Sequence, residues 1–174
     1  MQEDPFAREL RAWFVGRLPE GWFVEPPELH YDRDEILLVG RLSEPALTEG
    51  TSEAERRAAC LARIQRFREE TRSQRIRIAA EAEYRFGRKV SWGAVCGDVR
   101  QVFTVLSVPV MTRLRLSERQ VLDTLVEAGV ARSRSEALAW CVRLVGRHEA
   151  DWLAELRQAL VRVQELRQSG PEVE

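Results

Sequence analysis

Residues 52–86 constrain this chain more than any other stretch. They read as one long helix or a kinked pair, set between segments that read as strands. Ser52-Glu53-Ala54-Glu55 makes a helix start with Glu55 three residues after the cap, the spacing of a capping box. Ala58, Leu61, Ile64, Phe67, Thr71, Ile78, Ala82 and Phe86 fall roughly on one stripe. The stripe weakens at Gln74 and Arg75, where a kink or an exposed stretch is expected. Gly87 stands where a left-handed residue closes a helix.

The flanking segments define the rest of a small α+β unit. Residues 5–17 read as an amphipathic helix, with Asp4 as cap, Pro5 at the first helical position, and Phe6, Leu10, Trp13 and Phe14 as its apolar stripe. Two strands are expected over 21–31 and 35–42, joined through Asp32-Arg33-Asp34. The run Ile36-Leu37-Leu38-Val39 is continuously apolar, as in a strand buried on both faces. Residues 43–51 read as a loop. After the long helix, 89–96 alternates Val90, Trp92, Ala94 and Cys96 inward, and Gly97-Asp98 turns into a strand over 99–107. Residues 1–107 thus read as α-β-β-α-β-β.

At 174 residues, with 44% hydrophobic and 32% charged side chains, the chain suits one moderate domain or two small ones and is too apolar for wholesale disorder. No apolar run approaches the ~20 residues of a membrane span. Met1-Gln2-Glu3-Asp4-Pro5 does not read as a signal peptide, so no membrane partner and a cytoplasmic location are expected. The formal charge is −1, yet it is unevenly spread. Residues 1–50 hold 5 basic and 11 acidic side chains, 51–108 hold 12 and 7, 109–147 hold 7 and 4, and 148–174 hold 3 and 6. A basic middle between acidic ends fits one face meeting a polyanion, or helix arginines offset by their own glutamates. Cys60, Cys96 and Cys141 lack zinc-ligand spacing and are odd in number, against a disulfide framework or structural metal. No HExxH, GxSxG, GxGxxG or P-loop pattern occurs, so neither a cofactor nor enzymatic chemistry is expected.

The strongest functional signal lies in residues 110–145. It opens with an alternating segment that reads as a short strand over 110–116, with Thr112, Leu114 and Leu116 on one side and Met111, Arg113 and Arg115 on the other. Ser117 is then placed to cap a helix with Val121, Leu122, Leu125 and Val126 inward, ended by Gly129. A second helix starts at Ser133-Arg134-Ser135-Glu136, an S-x-x-E start, with a stripe of Ala137, Leu138, Cys141, Leu144 and Val145. This strand–helix–helix order, with its G-V-A-R-S-R-S-E-A-L junction, resembles the ribbon-helix-helix family of DNA-binding regulators over about residues 110–147.

The resemblance implies a homodimer in which two copies of strand 110–116 pair antiparallel into a ribbon that enters the major groove of double-stranded DNA. Met111, Arg113 and Arg115 would then face base edges. The start of the second helix, at Arg132, Ser133, Arg134 and Ser135, would hold a backbone phosphate. Trp140 stands where relatives carry a polar exposed residue and is expected to pack within this protein.

The whole chain reads as an α+β unit over 1–107, a ribbon-helix-helix module over 108–147, an amphipathic helix over 148–168 and a disordered tail over 169–174. Gly146 marks a break before the last helix, whose apolar residues (Trp152, Leu153, Leu156, Leu160, Val163) are expected to pack on the first domain or a second subunit. The long-helix arginines are either a second nucleic-acid surface or partners of Glu69, Glu70, Glu81 and Glu83. Cys60 and Cys141 read as core thiols, and Cys96, beside the turn, as the cysteine with a claim to reactivity.

The function expected is that of a homodimeric, sequence-specific DNA-binding protein, a regulator of transcription or of chromosome organisation located on the nucleoid. Its N-terminal part would meet a ligand or a protein partner. The alternative is a dimeric interaction scaffold that uses the ribbon only to pair chains. A third, enzymatic reading rests on Asp32 and Asp34 near His30 as a metal site.

Overall fold

The computed structural model describes residues 5–48 and 50–169. It is an α+β structure that divides into two compact units, residues 1–109 and 110–174. The first contains α1 (Pro5–Arg17), β1 (Glu28–Tyr31), β2 (Glu35–Arg41), α2 (Glu53–Glu70), α3 (Arg72–Phe86), β3 (Lys89–Cys96) and β4 (Val99–Val102). The sheet order is β1-β2-β3-β4, with β2 and β3 parallel and both outer pairs antiparallel. Two parallel neighbours need a long crossover, and α2 with α3 supplies it. Ile36 stands beside Val90 and Leu38 beside Trp92. One cluster joins these four residues to Leu10, Phe14, Ile78 and Ala82. A second gathers Leu42, Cys60, Ile64, Phe67, Ala94, Cys96 and Val99.

Local chemistry sets the joints. Asp32 Oδ1 accepts the N–H groups of Asp34 and Glu35, each at 2.8 Å, making the turn between β1 and β2. These two backbone donors hold the Asp32 carboxyl below its ordinary value. Ser52 and Glu55 complete the expected capping box, with Ser52 N–H donating to Glu55 Oε2 at 2.8 Å. Gly87 closes α3 at φ 67°.

Three strand expectations are corrected. The first strand begins only at Glu28, because Pro26 and Pro27 have no N–H for a ladder; before them, Val24 N–H alone reaches Arg41 O, at 2.9 Å. The last strand ends at Val102 rather than 107, where the Phe103 ring turns onto Phe67, 6.3 Å between centroids. In β3 the burial is not alternating, since Ser91, Gly93 and Val95 are buried as well. The strand has a neighbour on each side, and small side chains there leave little to expose.

The long helix breaks at Thr71, not at 74–75, and Arg75 is buried instead of exposed, at 7%. Thr71 Oγ1 donates to Phe67 O at 2.6 Å and accepts from Arg75 Nε at 3.0 Å, while Arg75 Nη2 donates to Arg68 O at 2.7 Å. The guanidinium lies 5.3 Å from the Phe103 ring centre and 5.9 Å from that of Trp92. Burial, and then the charges of Arg68 and Arg72, push its pKa down. Thus one cation satisfies the carbonyl that the break leaves open.

The second unit contains α4 (Leu116–Glu127), α5 (Arg134–His148) and α6 (Ala150–Ser169). The expected strand over 110–116 belongs to no sheet of this chain, and Leu116 already begins α4. Ser117 is not the cap: Arg115 takes that position because Glu118 Oε2 accepts its N–H at 2.6 Å. Gly129, at φ 74°, lets the chain reverse so that Val130 N–H reaches Leu125 O at 3.0 Å. Val121 and Val145, expected inward, are exposed. Helix α5 passes through Gly146 to His148, with Glu149 as its cap. The Asp4 cap lies outside the described residues, as does the expected tail beyond Ser169. Among the described residues no helix is long and apolar enough to cross a membrane.

Two substitutions test this packing by urea unfolding. An added Cβ at Gly40 overlaps the Phe23 ring, itself wedged against Trp22 and Phe67, so Gly40→Ala should cost about 1–3 kcal/mol. Arg75→Ala strips the break of its cation and should also cost about 1–3 kcal/mol. Unchanged midpoints would contradict both assignments.

Candidate nucleic-acid interface

The second unit is organised by a few side chains. Leu122, Ala131 and Ala137 are its buried cluster, with Leu114, Leu125, Val126, Leu138 and Cys141 half-buried against it. Leu114 is therefore the one residue of the 110–116 segment that points inward; Thr112 and Leu116, expected beside it, are exposed. Met111 is 98% exposed, and Arg113 and Arg115 are exposed too. Arg119 Nη1 donates to Leu114 O at 2.7 Å, fixing the segment to the first turn of α4.

The start of α5 brings Arg132, Ser133, Arg134 and Ser135 together, all exposed. Ser133 Oγ accepts Glu136 N–H at 3.2 Å, the expected cap. The reciprocal half of the box differs: Glu136 Oε2 accepts the N–H of Arg132, at 2.8 Å, and its guanidinium Nε, at 3.1 Å. Arg134 makes a two-pronged bond to Asp123 on α4, at 2.6 and 2.7 Å. The Arg134 guanidinium holds the Asp123 carboxyl below its ordinary value of 3.8. Arg132 does the same for Glu136. Both arginines expected at phosphate are thus engaged by carboxylates of their own unit. Arg113 and Arg115 have no ion pair among the described residues.

Elsewhere the expected groupings mostly dissolve. Of the four glutamates assigned to the long-helix arginines, Glu70 takes Arg66 within its helix, at 2.7 Å. Glu69 takes Gln65, Glu81 takes Arg17 of α1, and Glu83 takes Lys89. Arg85 reaches Glu9 at 2.8 Å. His30 is exposed with Nε2 3.5 Å from Glu28, and Asp32 is occupied by its turn, so the three residues of the metal reading do not converge. Among the described residues no group of three or more His, Cys, Asp or Glu is placed to hold a metal ion. Sequence reasoning missed the Arg75 arrangement, which borders a cavity of about 450 Å³ together with Arg68, Arg72 and Phe103. Its only signal was the weakening of the apolar stripe, which reads equally as exposure.

The two units coincide with two family matches. The Rv1265-like protein N-terminal domain matches residues 8–102, and the Mb1296 C-terminal domain matches residues 115–167. This chain belongs to the Rv1265-like family. It is similar to the uncharacterised protein Mb1296 of Mycobacterium bovis, 53% identical over 171 residues, covering 98% of this chain and 74% of the relative. The uncharacterised proteins MT1303 and Rv1265 of Mycobacterium tuberculosis match with the same identity and coverage. No solved structure matches the chain.

The Arg134–Asp123 link has a titration signature. A carboxyl held low favours the folded state above its ordinary value, and that contribution is lost as pH falls through the depressed value. Arg134→Ala should return the Asp123 carboxyl toward 3.8 in an NMR titration. An Asp123 titration identical in both proteins would exclude the pair in solution.

Proposed function

We propose that this protein is a homodimeric DNA-binding protein of ribbon-helix-helix type, acting on the nucleoid in transcription or chromosome organisation. The observation that carries the reading is the state of residues 104–114. Among the described residues they form no strand and belong to no ladder. A bare peptide edge is costly once apolar neighbours bury it, and an antiparallel copy is the partner that matches an alternating segment. Leu114 anchors the segment on the helices while Met111, Arg113 and Arg115 face away.

The size of the second unit's core supports the dimer. Among the described residues, three buried apolar side chains are few to offset the ordering of three helices. Val121, Val142, Trp152, Leu156 and Leu160 are large apolar side chains left exposed, enough to form an interface between copies. Arg113 and Arg115 would read guanine, each good pair giving ~1–3 kcal/mol of discrimination. The Ser133 cap would position the complex on phosphate through the amino end of α5. The N-terminal unit would be the part that answers to a ligand or partner.

A second reading, a dimeric scaffold, is favoured by the neutralisation of Arg132 and Arg134. Gel-shift titration with genomic fragments at two salt concentrations separates the two. DNA binding should weaken steeply with salt, whereas a scaffold sediments as a dimer and shifts nothing. Arg113→Ala with Arg115→Ala should abolish sequence preference and leave the dimer intact by sedimentation. A double variant that still selects the parent's sites would remove these arginines from base reading.

A further inference from the structure

The N-terminal unit holds a thiol pair that the DNA-binding reading does not use. Cys60, on α2, and Cys96, the last residue of β3, belong to the same apolar cluster. Both are free cysteines, packed in that cluster on facing elements. Cys60 Sγ sits on the turn that follows Cys96, 3.3 Å from where a Cβ on Gly97 would stand.

The two sulfurs differ in access. Cys60 is 5% exposed and forms part of the wall of a polar cavity of about 250 Å³, beside Arg41, Arg56, Arg57, Glu44 and Asp98. That volume admits molecules of the size of water or hydrogen peroxide. Cys96 is fully buried and does not line the cavity; its Sγ lies 3.9 Å from Ser43 O.

We propose that Cys60 and Cys96 form a redox-convertible pair, in which Cys60 reacts with a peroxide entering the polar cavity and Cys96 resolves the product to a disulfide joining α2 to β3. In the first step the Cys60 sulfur attacks one peroxide oxygen, the O–O bond breaks, and the thiol proton leaves with the other oxygen as water. The sulfur is oxidised to a sulfenic acid and the peroxide is reduced. In the second step the Cys96 sulfur displaces hydroxide from the Cys60 sulfur. The S–S bond forms, the S–O bond breaks, and the Cys96 proton departs with the hydroxide as a second water.

The environment sets the order of the two residues. Burial, and then Cys60, pushes the Cys96 thiol up to about 12, so it is a protonated thiol at neutral pH and gives up its proton with the hydroxide displaced in the second step. A buried thiol oxidises slowly, and the pair should therefore respond to sustained rather than brief exposure.

The test uses the full-length chain carrying Cys141→Ser, treated with hydrogen peroxide, alkylated in denaturant and read by mass spectrometry. The proposal expects loss of two hydrogens from the intact mass and a tryptic cross-link between the Cys60 and Cys96 peptides, reversed by dithiothreitol. With Cys96→Ser added, dimedone should label Cys60. Full alkylation of both cysteines after peroxide, over-oxidation of Cys60 without a cross-link, or dimedone labelling of Cys96 in a Cys60→Ser protein would overturn it. The first two outcomes are read on Cys141→Ser alone, so the proposal can fail even where the other variants do not fold.

Discussion

Every peptide group taken from water must find a partner, and the structure follows from where that demand is met. In the N-terminal unit it is met inside the chain. Strands β2 and β3 run parallel side by side, and only a long connection can bring the chain back to start a parallel neighbour. The α2–α3 pair is that connection, and its apolar stripe covers the sheet it bridges. Residues 104–114 are mostly exposed, and water can serve their peptide groups. They run toward α4 without a strand beside them, and the dimeric reading rests on that open edge.

Arginine is used here mainly as a structural cation. Arg75 stands in for the hydrogen bonds lost where the long helix breaks, while Arg17, Arg85 and Arg100 tie elements together through Glu81, Glu9 and Glu28. Arg134 clamps α5 to α4 through Asp123. Part of the basic charge of the middle segments is thus engaged by acidic partners, some of them far away in sequence. The exposed arginines without such partners are the more informative ones for recognition, and Arg113 and Arg115 are among them.

Much of the first unit was legible from spacing. The bounds of α1 and β3, the capping box at Ser52 and the closing Gly87 follow from near-neighbour chemistry that acts over three or four residues. The same holds for the Ser133 cap and the Gly129 reversal. What spacing misread was contact between distant residues. A charged residue at a gap in an apolar stripe reads as solvent-facing, yet Phe103 and Trp92 arrive from the sheet and enclose Arg75. Likewise nothing near Arg134 in sequence announces Asp123 as its partner, eleven residues earlier on another helix.

The amino-acid sequence by itself determined the order of the helices and of the four sheet strands, most of their caps and turns, and the exposure of Arg113 and Arg115. These are local properties, settled by the backbone preferences and hydrogen bonds of residues close along the chain. Tertiary structure alone decided that β2 and β3 run parallel, that the helix breaks at Thr71 over a buried cation, and that Cys60 and Cys96 share one apolar cluster. Those outcomes depend on which surfaces exclude water together, and that is a property of the packed chain rather than of any stretch of it.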